Sequence, residues 1–103
     1  MKPGDLATVA AILRTSIPEY EVRVFGSRIG GKARKFSDLD LVIMTDKPLN
    51  ISRMAALCDA FSDSDLPFKV DLVDWASTRD SFRRIIENSY AVIQRPPDPK
   101  LLI

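Results

Sequence analysis

Hydrophobic residues first recur at helical spacing in Leu6, Val9, Ala10 and Leu13, which predicts an amphipathic helix. Asp5 is placed to cap its start and Pro18 to end it. Glu21-Val22-Arg23-Val24-Phe25 alternates polar and apolar, so it predicts a strand that stops at Gly26. Residues 26 to 37 are small, basic and glycine-containing and predict a loop with room for one helical turn. Ser37 to Met44 predicts a second strand. Its later part is apolar throughout, which places it centrally in a sheet. Pro48 and Asn50 mark a turn. Met54, Leu57, Cys58 and Phe61 then give a second helix with Cys58 on its core stripe. Phe68 to Asp74 predicts a third strand. Ser77 and Asp80 resemble a capping box with Asp in place of the usual Glu, and the helix that follows points Phe82, Ile85 and Ile86 inward. Tyr90 to Ile93 predicts a short last strand.

This order predicts an α/β (α+β) fold, a small mixed β-sheet with helices packed against it. The expected organisation is one domain over residues 1–95. A Pro-rich extended tail follows over 96–103, because three prolines there forbid a helix. Leu101-Leu102-Ile103 then either docks on a partner, folds back or stays unstructured. No internal repeat is visible. A chain of 103 residues buries only a modest core, so a thin stability margin and a partner are expected.

Composition narrows the chemistry mainly by exclusion. The net charge is +1, so no overall field favours nucleic acid or an anionic membrane. No apolar run reaches membrane-spanning length, and the first residues carry no secretory pattern. The single cysteine, Cys58, excludes an internal disulfide and fits a reducing cytoplasm. The chain has no histidine. Ser-His-Asp triads, Cys-His pairs and His-based zinc sites are therefore excluded. Any catalytic metal must be held by oxygen, which favours Mg²⁺ or Mn²⁺.

The oxygen donors that stand out are Asp38, Asp40 and Asp71. Side chains two apart on a strand share a face, roughly 6–7 Å apart, so Asp38 and Asp40 can reach one metal or a metal pair while Leu39 and Leu41 point into the core. Paired carboxylates on a buried strand are costly without a cation. Asp71 completes a three-carboxylate cluster if the third strand lies beside the second, and such a cluster suits two-metal chemistry on phosphates. Gly26-Ser27 ends the first strand. There the glycine allows close backbone approach to a phosphate and the serine offers a hydroxyl and an N–H. Arg28, Lys32, Arg34 and Lys35 add positive charge, as phosphate contacts or as a solvated loop. The plain alternative for the aspartates is strand-end caps, but all three fall at matching positions. Trp75 is better explained by packing than by stacking on a base.

Together these pieces form one pattern: strand, Gly-Ser, ten residues, Asp-x-Asp in a second strand, and an Asp in a third. Phe25-Gly26-Ser27-Arg28, Ser37-Asp38-Leu39-Asp40-Leu41 and Val70-Asp71-Leu72-Val73 resemble the minimal branch of the polymerase-beta-like nucleotidyltransferase superfamily. The flanking elements extend the resemblance over most of the chain. It implies a nucleotidyltransferase-like fold, triphosphate contact by Gly26 and Ser27, Mg²⁺ (or Mn²⁺) bound by Asp38 and Asp40, and assistance to metal and nucleophile by Asp71. It also implies ATP as donor and a small all-helical HEPN-type partner in a hetero-oligomer, with this chain as an antitoxin that transfers AMP to it. Gly30-Gly31 departs from the family's usual helix after Gly-Ser, at about 1 kcal/mol per glycine relative to alanine. Two other functions share the pattern: an antitoxin that neutralises by covering its partner, and a nucleotidyltransferase for a small molecule.

Overall fold

The computed structural model describes residues 3–25 and 39–97. Its elements run α1 (Pro3–Ser16), β1 (Glu21–Phe25), β2 (Leu39–Met44), α2 (Ile51–Ser62), β3 (Val70–Asp74), a 3₁₀ turn (Trp75–Ser77), α3 (Asp80–Asn88) and β4 (Tyr90–Gln94). The four strands form one mixed sheet in the order β3-β2-β1-β4. β1 lies antiparallel to both β2 and β4, whereas β2 and β3 are parallel. The expected α/β architecture, with β2 in a central position, is therefore the observed one.

Alternation divides the sheet into two faces. On the first, Val22, Val24, Leu39, Leu41 and Ile43 join Val9, Leu13, Ile17, Leu57 and Phe61 in the main core. This face is covered by α1 and α2. Arg53 of α2 clamps the two helices, donating to Glu19 at 2.7 and 2.8 Å and to the Ser16 carbonyl at 3.0 Å. Its hydrogen bonds hold the Glu19 carboxyl below the usual carboxylate range. Gln94 closes the other side, donating to the carbonyls of Ile17 and Tyr20 at 2.9 Å each. The second face has a smaller core of Phe25, Val42 and Ile86, with Met44, Val73 and Trp75 against it.

Four local expectations change. Asp5 is not the cap of α1 but sits inside its first turn, where a carboxylate still favours the helix dipole. Pro3 opens the helix, at the end where a missing N–H costs nothing. Cys58 is exposed. The buried stripe of α2 is Leu57 and Phe61, four residues apart, and Cys58 lies about 100° round from Leu57. α3 buries only Ile86, leaving Phe82 37% and Ile85 61% exposed. Its nine residues present only a narrow strip to the second face of the sheet. Ser77 and Asp80 form no capping box, and Arg79 precedes α3 without a side-chain cap.

The residue that organises this region is Asp74. Only 8% exposed, its carboxylate accepts from the backbone N–H of Leu49 at 2.7 Å and of Ser77 at 3.0 Å. It thereby ties the end of β3 to the loop before α2 and caps the 3₁₀ turn. Burial pushes its carboxyl upward, but the hydrogen bonds from Ser77 and Leu49 outweigh this and hold it below the ordinary carboxylate value. Asp74→Ala should cost about 2–3 kcal/mol, since a buried N–H and a part-buried one lose a charged acceptor. A depressed pKa adds stability that is full above the unfolded carboxylate range and lost as pH falls through the folded value. Urea midpoints measured from neutral to acidic pH should therefore fall less steeply for Asp74→Asn than for the native chain. Parallel curves would contradict this.

Candidate active site

The parallel pairing of β2 with β3 sets Asp40 in direct register with Asp71. Neighbouring strands lie about 4.8 Å apart, so two carboxylates share one sheet end and one face, both partly exposed. Leu39 and Leu41 beside Asp40 are fully buried on the opposite face, and Val70 and Leu72 beside Asp71 pack against the same core, as the alternation predicts. Asp40 is also in register with Phe25 of β1, and Phe25 with Tyr90 of β4. One transverse row thus crosses the sheet as Asp71, Asp40, Phe25, Tyr90.

The flanks of the row are not alike. On the β1 side Phe25 is buried beneath Phe82 of α3, with ring centroids 5.6 Å apart and an interplanar angle of 83°. Beyond it the Arg23 guanidinium lies 4.3 Å from the centre of the Tyr90 ring and pairs with Glu21 at 2.5 Å. On the β3 side the Lys69 ammonium stands 3.9 Å from Asp71. The Lys69 carbonyl accepts from the Leu39 N–H at 2.8 Å, fixing the start of β2 to the residue just before β3. None of Lys69, Phe82 and Tyr90 was expected at the site: Phe82 was expected in the core, and Lys69 and Tyr90 only as strand residues. Only Lys69 had a legible signal, standing two residues before Asp71.

Asp38, Gly26 and Ser27 lie outside the described residues, as do Arg28, Lys32, Arg34 and Lys35. The described ends of that stretch are informative, because Phe25 and Leu39 both belong to the sheet end that carries Asp40 and Asp71. Among the described residues no group of three acidic or sulfur side chains forms a ready metal cage. The aspartate pair is what this part of the site supplies. Trp75 packs against the second-face core, and Arg83 lies 4.9 Å from its ring centre while donating to its carbonyl at 2.7 Å. Packing is therefore its role, as expected.

The family described as "Polymerase beta, Nucleotidyltransferase" matches residues 11–98. The chain is 51% identical over 94 residues to "Probable protein adenylyltransferase MntA" of Haemophilus influenzae, covering 91% of this chain and 82% of that protein. Its fold is similar to that in a toxin–antitoxin crystal structure with AMP-PNP, with a TM-score of 0.73 and 22% identity over 92% of this chain and 76% of the other. It is also similar to a chain of the tri-AMPylated Shewanella oneidensis HEPN toxin in complex with MNT antitoxin. There the TM-score is 0.68 at 20% identity, over 99% of this chain and 79% of that one.

The Phe25–Phe82 contact helps to hold α3 on the face that carries the aspartate pair. Phe82→Ala should cost about 1 kcal/mol from the lost edge-to-face pair, read as a lower denaturation midpoint. An unchanged midpoint would show that α3 is held without it.

Proposed function

The chain belongs to the polymerase beta nucleotidyltransferase family, and on that footing we propose that it transfers AMP from ATP to a hydroxyl of a small helical HEPN-type protein, acting as that protein's antitoxin. The lateral register of Asp40 and Asp71 carries this reading. It is supported by the name of the Haemophilus relative, a protein adenylyltransferase. Similar folds come from toxin–antitoxin complexes, one with AMP-PNP and one with a tri-AMPylated HEPN toxin.

Asp40 and Asp71, with Asp38, would hold Mg²⁺ or Mn²⁺. The fit rests on the donor set, since adjacent, partly exposed carboxylates on a rigid sheet are hard oxygen ligands of the kind these ions take. Such ions, when bound, neutralise charge on the phosphates and lower the pKa of an attacking hydroxyl. The protein's share is positioning. Strand pairing fixes the two carboxylates before substrate arrives, so little order remains to be gained in the transition state. Gly26 and Ser27 follow directly after Phe25, the register partner of Asp40, and are assigned the triphosphate. The single exposed Cys58 suits a cytoplasmic setting, where thiols stay reduced.

The test is to incubate the purified chain with its HEPN-type partner, α-labelled ATP and Mg²⁺. The native chain should label the partner, whereas Asp40→Asn and Asp71→Asn should leave it unlabelled while keeping native circular dichroism. Native labelling by both variants would sink the catalytic role of the pair. Neutralisation of the partner by unlabelling variants would mark this chain as a covering antitoxin.

A further inference from the structure

Asp40 and Asp71 lie in direct register on neighbouring strands, on one face of the sheet, both partly exposed. Two like charges one strand spacing apart repel, and each gains from a cation nearby. The chain brings a cation of its own to this place. Lys69 stands two residues before Asp71, so alternation puts both side chains on the same face. Its ammonium lies 3.9 Å from an Asp71 carboxylate oxygen. That is near the outer limit of an ion pair, about 4 Å, and well beyond the roughly 2.7–2.9 Å of a charge-assisted hydrogen bond. The side chain of Lys69 is 75% exposed and that of Asp71 44%. The two ends of Lys69 therefore differ. Its carbonyl is fixed by the Leu39 N–H at 2.8 Å, whereas its ammonium is a point charge on a flexible stem, reaching Asp71 across a long contact.

Resting on the assignment of a divalent metal to this pair, we propose that Lys69 is the counter-ion of Asp71, a resident cation that a divalent ion has to displace. An ammonium has donors and no further valence, so it offsets the repulsion of the acids without bridging them as a metal does. A divalent ion drawn to Asp71 meets this charge a few ångströms away and drives it toward solvent along its stem. Metal alone is then bound less tightly than the carboxylates by themselves would bind it. A nucleoside triphosphate brings negative charge with its metal, and with it in place the two cations no longer compete for one acid. Lys69 thus couples metal loading to nucleotide. It acts through Asp71 and touches no reacting atom. A lysine suits this role because it yields, whereas the planar fork of an arginine would clasp the carboxylate.

The test is to titrate Mn²⁺ into the purified chain, with and without AMP-PNP, and to count free ion by electron paramagnetic resonance. Without nucleotide, Lys69→Met should bind Mn²⁺ about threefold to tenfold more tightly than the native chain. With AMP-PNP the two Kd values should draw together. Lys69→Arg should show no gain. Lys47→Met removes the same charge beyond the far end of β2 and should keep the native Kd. An unchanged Kd in a folded Lys69→Met would overturn the inference alone. So would a weaker one, which is what a merely structural lysine predicts. An equal gain in Lys47→Met would overturn it by tracing the effect to net charge. Failure of the native chain to bind Mn²⁺ under either condition would overturn the metal assignment of the proposed function, and this inference with it.

Discussion

Everything about this site depends on one pairing, that of β2 with β3. Two parallel strands cannot be joined by a tight turn. They need a crossover segment, and here α2 supplies it. The crossover buries Leu57 and Phe61 on the first face of the sheet. The second face at that end is left to Asp40 and Asp71, which the parallel register brings side by side. Had the two strands been antiparallel neighbours, a short hairpin could have linked them, but the helix on the first face would have been lost. Helix placement and carboxylate placement are therefore one decision of the chain.

Much of this was legible in the sequence because strands betray their faces. Asp40 between Leu39 and Leu41, and Asp71 between Val70 and Leu72, show which side is dry before any partner is known. The continuous apolar run at the end of β2 marked it as central, and it is. Register between strands was not legible, since it is fixed by contacts far apart in sequence. The helices were read less well. Periodicity shows that an apolar stripe exists but not how wide it is, so Cys58, Phe82 and Ile85 were placed in a core that leaves all three exposed. Asp74 was passed over as an ordinary strand-end acid. Its partners, the N–H groups of Leu49 and Ser77, are backbone groups, and no side-chain pattern announces them. Asp38, Gly26 and Ser27 stand outside the described residues and rest on motif and family.

The second face is held more lightly than the first. It is covered by one short helix, whose buried contribution is Ile86, together with the edge-to-face meeting of Phe82 and Phe25. Arg83 fastens this helix to the preceding turn through the Trp75 carbonyl and ring. Aromatic and guanidinium groups do here what aliphatic packing does under α1 and α2. The result is a sheet with one sealed side and one side left partly open where the acidic pair lies.

The position of β3 at the margin of the sheet has a further meaning. A marginal strand shows a row of backbone donors and acceptors to any other extended chain, and proteins guard such rows with brevity and charge. β3 is five residues long, and Lys69 and Asp71 stand at its start. The acid proposed for the site is thus also a guard against sheet-to-sheet growth. A lineage that abandoned the chemistry would still be selected to keep a charge at this position, so an acidic residue there would by itself be poor evidence that the activity persists.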